Sequence, residues 1–181
     1  MRLFHVSEES DIRIFYPRRP KKPGDSDEAL IWAIDDRRLP NYLTPRNCPR
    51  VTYHAGPETT PEDTARFFSS PSHPHVVAIE KGWFRLMLTT TLYCYQFNPS
   101  AFASIDESAG YYVSRKPQAP IGKLIIENLP EALFARNVEL RVLPTLWELH
   151  DAVLTSTLRY SMCKMVNARA KREGDPRGSA P

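Results

Sequence analysis

Apolar and polar positions alternate with a period of two over several short stretches, the mark of half-buried strands. Arg2 to Val6 reads as a first strand with Ser7 to Asp11 as its exit, followed by a loop carrying Pro17, Pro20, Pro23 and Gly24. Further strands are expected over residues 29–34, 50–54, 75–80, 90–97, 110–114, 122–126 and 138–142. In TTLYCYQF, residues 90–97, Tyr93 and Tyr95 alternate with Leu92 and Cys94, as expected where both faces are at least partly covered. Thr60 before Pro61, with Glu62 and Asp63 behind them, marks a helix N-terminus and predicts a short helix ending near Ser69 or Ser70. Short helices are also expected at 82–88 and 130–135. A longer one follows Pro144, with Thr145 and Glu148 at capping-box spacing and a stripe through Leu146, Leu149, Val153, Thr157, Tyr160 and Lys164 that extends it to Asn167.

Many short strands and one long helix argue against a doubly wound nucleotide fold. The expectation is an α+β fold: a single domain over residues 1–167 with a bent or split, mainly antiparallel sheet, short helices and one longer C-terminal helix. Residues 168–181 read as a polar C-terminal tail, mobile when alone.

Composition narrows the function classes. Of 181 residues, 41% are hydrophobic and 25% charged, an ordinary globular balance, and 17 prolines against 7 glycines give many defined corners. A net charge of +3 is too weak to establish a nucleic-acid partner. The basic residues gather at Arg13, Arg18, Arg19, Lys21 and Lys22, and again at Arg169, Lys171 and Arg172, where they attract phosphate or solubilise loops. Cys48, Cys94 and Cys163 are odd in number and widely spaced, which fits neither a disulfide framework nor a zinc motif. Glu8, Glu9 and Asp11 interrupt any signal-peptide core, and no apolar stretch is long enough for a membrane helix. A cytoplasmic protein with no membrane partner is the expectation.

Common catalytic signatures are absent: the chain has no GxGxxG, phosphate loop, HExxH or GxSxG. His73 and His75 lack a third ligand at a useful spacing, so no metal is expected. His150 falls inside the long helix, as a polar-face or packed residue, and His54 at a strand end near Gly56. His5 is the strongest candidate, because Phe4 and Val6 anchor the strand while His5 and Ser7 share the opposite face, where an imidazole can orient a ribose hydroxyl. Its alternative is a buried histidine paired with a carbonyl or carboxylate. Arg46 and Arg50, around Asn47-Cys48-Pro49, either bind a diphosphate or pin this irregular crossing. Cys48 between them has no base close in sequence to make it a nucleophile.

The stretches LFHVSEESDIRIFYPR, LPNYLTPRNCPRV, AGYYVS and LPTLWELHDAVLTSTL resemble an uncharacterised family of small bacterial proteins, a domain of unknown function, from the first residue to about Ala168. LFHVS is also similar to the opening strand of ADP-ribosyltransferase-like proteins, in which a histidine contacts the nicotinamide-side ribose of NAD. That resemblance implies NAD as cofactor, with His5 positioning the ribose, Tyr53 of RVTYHA enclosing the nicotinamide, and Glu107 as the acidic third residue, where Asp106 competes. Tyr111 or Tyr112 is the alternative aromatic wall. His5, Tyr53 and Glu107 are thus the candidate catalytic set, and His5, Ser7, Arg46, Arg50 and Tyr53 the candidate cofactor contacts. The acceptor is left open, as are a noncatalytic nucleotide-binding module and a structural or protein-interaction domain.

Overall fold

In the computed structural model, residues 1–19, 28–70, 72–107 and 109–171 are described. Lys21, Lys22, Arg172 and most of the expected tail lie outside the described residues. Contacts divide the chain into two compact units, Met1–Leu43 with Thr91–Glu127 and Thr44–Thr90 with Asn128–Pro181.

The first unit contains β1 (Leu3–Ser7) and β2 (Ile31–Asp35). The second begins with β3 (Arg50–His54), α1 (Pro61–Phe67), β4 (His75–Glu80) and α2 (Phe84–Thr89). The chain then returns to the first unit for β5 (Leu92–Phe97), β6 (Ala103–Asp106), β7 (Tyr111–Ser114) and β8 (Gly122–Ile126). α3 (Leu129–Phe134), β9 (Glu139–Leu143), α4 (Trp147–Leu154) and β10 (Arg159–Cys163) complete the second.

The six-stranded sheet has the order β6-β7-β2-β1-β5-β8 and is antiparallel throughout. β1 lies inside it, so the first strand read from the sequence is central to its unit. One face buries Leu3, Phe15, Ile31, Ala33, Tyr95, Phe97 and Tyr112. At the β2 end, Asp35 is almost fully buried, and its carboxylate accepts Arg37 Nε and Nη2 and the Arg38 amide. Gly110 has φ of 68°, and a Cβ there would stand 2.7 Å from Asp35 Oδ1, so this close approach requires glycine.

The second unit has the order β10-β3-β4-β9, in which only the β4–β9 pair is parallel. Val51, Tyr53, Val76 and Ala78 pack against Phe67, Phe68, Leu146, Val153 and Leu158. The architecture is α+β with a split, mainly antiparallel sheet, short helices and one eight-residue C-terminal helix.

Two elements depart from the pattern in the sequence. The long helix stops at Leu154 because Thr155 Oγ1 and Ser156 Oγ turn back onto the Ala152 and Val153 carbonyls, at 3.1 and 2.7 Å. Residues 159–163 then form a strand beside β3, taking over the second half of the predicted stripe. Its first turn is not a capping box either, since Leu146 occupies the cap position with no side-chain cap bond. The second departure is β6, whose four residues are all exposed and give no apolar alternation to read.

Candidate functional site

The alternation of β1 places Leu3, His5 and Ser7 on one face. Across the ladder His5 stands opposite Tyr95 and Ser7 opposite Tyr93. The pairing of β1 with β2 joins Leu3 to Asp35 and Phe4 to Ile34, and beyond it the Trp32 carbonyl meets His5 Nδ1 at 2.9 Å. A carbonyl can only accept, so Nδ1 carries the proton and Nε2 presents its lone pair. Burial pushes the His5 pKa below its ordinary 6.5, the Trp32 bond opposes this, and the nearby Arg18 charge lowers it further. His5 is therefore a neutral, oriented hydrogen-bond acceptor at pH 7.

The segment Ile12–Arg18 frames this imidazole. Phe15 is fixed by two backbone bonds with Gln118 and lies 4.9 Å from the His5 ring, centroid to centroid. Its edges also meet Tyr95 and Phe97 at 5.2 and 5.0 Å. The Tyr95 hydroxyl donates to the Glu9 carbonyl and accepts the Ile12 amide, staking down the loop after β1. Ser7 Oγ accepts the Glu9 amide at 3.0 Å, so this hydroxyl turns the chain. Arg18 is exposed, held by a backbone bridge to Leu30. Tyr95, the cross-strand partner of His5, also lines an open concavity of about 310 Å³ together with Ser10, Asp11, Ile12 and Lys123, and His5 is not in that lining.

The other expected site residues are placed differently. Glu107 sits in the exposed turn after β6, where its charge acts on Arg37. In the sheet order three strand spacings separate β6 from β1, roughly 14 Å, so the structure does not bring Glu107 or Asp106 to His5. Tyr111 bonds hydroxyl to hydroxyl with Tyr42 at 3.0 Å, and Tyr112 is buried.

Tyr53 belongs to the second unit and is fully buried. Its ring packs against Phe67 and Phe68 at 5.8 and 5.6 Å, and its hydroxyl donates to the Phe67 carbonyl at 2.9 Å. Burial pushes the Tyr53 pKa up to about 12. The ring is held by core, with no face open to a ligand. Arg50, also in this unit, is buried and donates to the Cys48 carbonyl at 3.2 Å, the pinning role, while Arg46 is exposed. Burial raises the Cys48 thiol to about 12, against the pull of Arg50, which makes it an inert core sulfur.

His54 and His75 are cross-strand partners with rings 5.6 Å apart. His150 Nδ1 donates to the Asp151 carboxylate at 2.9 Å. Among the described residues there is no cluster of three or more potential metal ligands, and no helix is long and apolar enough to cross a membrane. The start of the expected tail is docked on the second unit: buried Glu80 accepts the Arg169 amide, Trp147 Nε1 donates to the Arg169 carbonyl, and Lys171 pairs with Asp151 at 2.6 Å.

Phe15, Arg18 and the Trp32 carbonyl were not legible as neighbours of His5. The run IFYPR carried the only signal, an apolar ring and a basic residue three positions apart in a proline-bearing loop. No curated protein and no solved structure matches the chain. A family model spans both units from β1 to the end of the described core, and on that match, over residues 4–168, the chain belongs to DUF6886, a family of unknown function.

Proposed function

We propose that the first unit binds a nucleotide-derived ligand, NAD or a fragment such as ADP-ribose, at the His5 face. The observation that carries this reading is the oriented imidazole: Nδ1 is spent on the Trp32 carbonyl, so the neutral Nε2 can accept a ribose hydroxyl proton. Arg18 supplies a cation near that imidazole for the diphosphate. The neighbouring concavity, about 310 Å³, lies at the small end of ligand pockets, which run to roughly 1,000 Å³, and suits a nucleoside-sized portion better than a whole dinucleotide.

Binding without turnover is the leading form of the proposal, because His5 Nδ1 is oriented by a backbone carbonyl and Glu107 stands several strands away. A second reading, ADP-ribosyltransferase-like turnover, is supported by the place of the histidine on the first strand of a split-sheet α+β fold. There the glycosidic bond of NAD would break, nicotinamide would leave, and the acceptor would lose a proton as it bonds to the ribose.

Calorimetric titration with NAD, ADP-ribose and nicotinamide tests both readings. NAD and ADP-ribose are expected to bind, with His5→Ala weakening them about tenfold by loss of one hydrogen bond. Arg18→Ala should lower affinity and flatten its dependence on salt. Binding of neither nucleotide by a folded protein sinks the proposal and leaves His5 as a core residue satisfied by a carbonyl. Release of nicotinamide from NAD, abolished by His5→Ala, would establish the second reading.

A further inference from the structure

We propose that the outer edge of β8 pairs antiparallel with β8 of a second copy of this chain, about a two-fold axis at Ile125. This is independent of any ligand at His5. Among the described residues β8 stands last in its sheet, joined to β5 on one side only. Edge strands are normally blunted by shortness, bulges or charge. The opposite edge, β6, has these devices: four residues, a register shift between Ser104 and Asp106, and Asp106 itself turned onto the Ala109 amide. In the second unit, edge strand β9 carries the Glu139–Arg141 ion pair, and β10 runs into a left-handed Lys164.

β8 lacks them. Leu124 is 39% exposed and Ile125 58%, and because consecutive residues point to opposite faces, apolar surface is open on both sides of the strand. Bulge, proline and acidic residue are all missing from Gly122–Ile126.

The strand is complementary to itself in one register. With Ile125 opposite its own copy, Leu124 faces Ile126 of the second chain and Lys123 faces its Glu127. The two-fold axis repeats each pair, giving an apolar centre with an opposite-charge pair at either end. Lys123 and Glu127 are both exposed. Lys123 Nζ already donates to the Ser10 carbonyl at 2.7 Å, and an ammonium keeps two further donors for the facing carboxylate. Shifting the axis to Leu124 would set Lys123 against Ile125 and lose the charge match.

Sedimentation velocity of the full chain, from micromolar to millimolar concentration, tests the pairing. The wild-type protein is expected to dimerise. Ile125→Lys, which sets like charges together on the axis, should raise the dissociation constant about tenfold or more. Glu127→Lys should weaken the dimer and Lys123→Glu added to it should restore it, a rescue that only this register gives and that involves exposed side chains. A folded wild-type chain that stays monomeric overturns the proposal and leaves β8 to a strand of another protein. A dimer indifferent to Ile125→Lys, or a charge swap without rescue, overturns it in favour of another contact surface.

Discussion

At the scale of single residues, His5 and Tyr53 show how one sequence pattern hides two different fates. Both sit on strands beside apolar neighbours, yet His5 is partly exposed and Tyr53 is sealed. The imidazole has a consequence for pH. Its folded pKa lies below the ordinary 6.5, so as pH falls the unfolded chain takes up the proton first. Stability from this residue is full above 6.5 and is lost as pH drops through 6.5 towards the lower folded value. His5→Asn, which keeps a donor for Trp32 but cannot titrate, should remove that part of the acid slope, seen as a smaller difference between urea midpoints at about pH 8 and about pH 5.5. An unchanged slope would mean that His5 takes up its proton equally readily in the folded and unfolded states. For Tyr53 the expected effect is structural. Tyr53→Phe deletes the bond to the Phe67 carbonyl, which still receives Arg141 Nη2 at 3.0 Å, so the cost should be about 1 kcal/mol with nucleotide binding unchanged. Lost binding at an unchanged urea midpoint would return Tyr53 to the ligand.

At the scale of elements, local chemistry was legible and long-range pairing was not. Thr60, Pro61 and Asp63 predicted the start of α1, and the Thr60 hydroxyl does accept the Asp63 amide at 3.2 Å. Asp63 then reaches beyond the helix, its carboxylate accepting the amide and hydroxyl of Thr157, both at 2.6 Å, which holds its pKa below the usual carboxylate range. Thr60→Ala should cost about 1 kcal/mol and speed amide exchange at Asp63 and Thr64 before the rest of the helix. Uniform protection along α1 in that variant would show the cap to be dispensable. The stretch from Thr155 to Lys164 was misread for the opposite reason. Its helical spacing is real, but three consecutive hydroxyl residues at 155–157 end the helix, and the ladder with β3 decides the remainder. Nothing in residues 159–163 alone names β3 as a partner. The site was legible to the same degree: β1 alternation located His5 and its face, whereas Phe15 and Arg18 reach it through a loop whose path depends on the Gln118 and Leu30 bridges.

At the scale of the whole molecule, the chain passes between its two units after Leu43, Thr90 and Glu127, so neither unit is one continuous segment. The family match over residues 4–168 takes in segments of both. The two sheets draw on the chain unequally, and this gives an asymmetric expectation for truncation. A chain beginning at Thr44 loses β1 and β2, which are neighbours in the middle of the order β6-β7-β2-β1-β5-β8. What is left of that sheet is two separate pairs, β6 with β7 and β5 with β8, and isolated two-stranded ribbons are marginal in water. The order β10-β3-β4-β9 keeps every strand, together with the Phe67, Phe68, Leu146 and Val153 core against which it packs. Amide exchange on the truncated chain should therefore retain slow protons in β3 and β4 and lose them in β5 and β7. Loss of protection in β3 and β4 as well would show that the second sheet draws its stability from the first, and that the units fold as one.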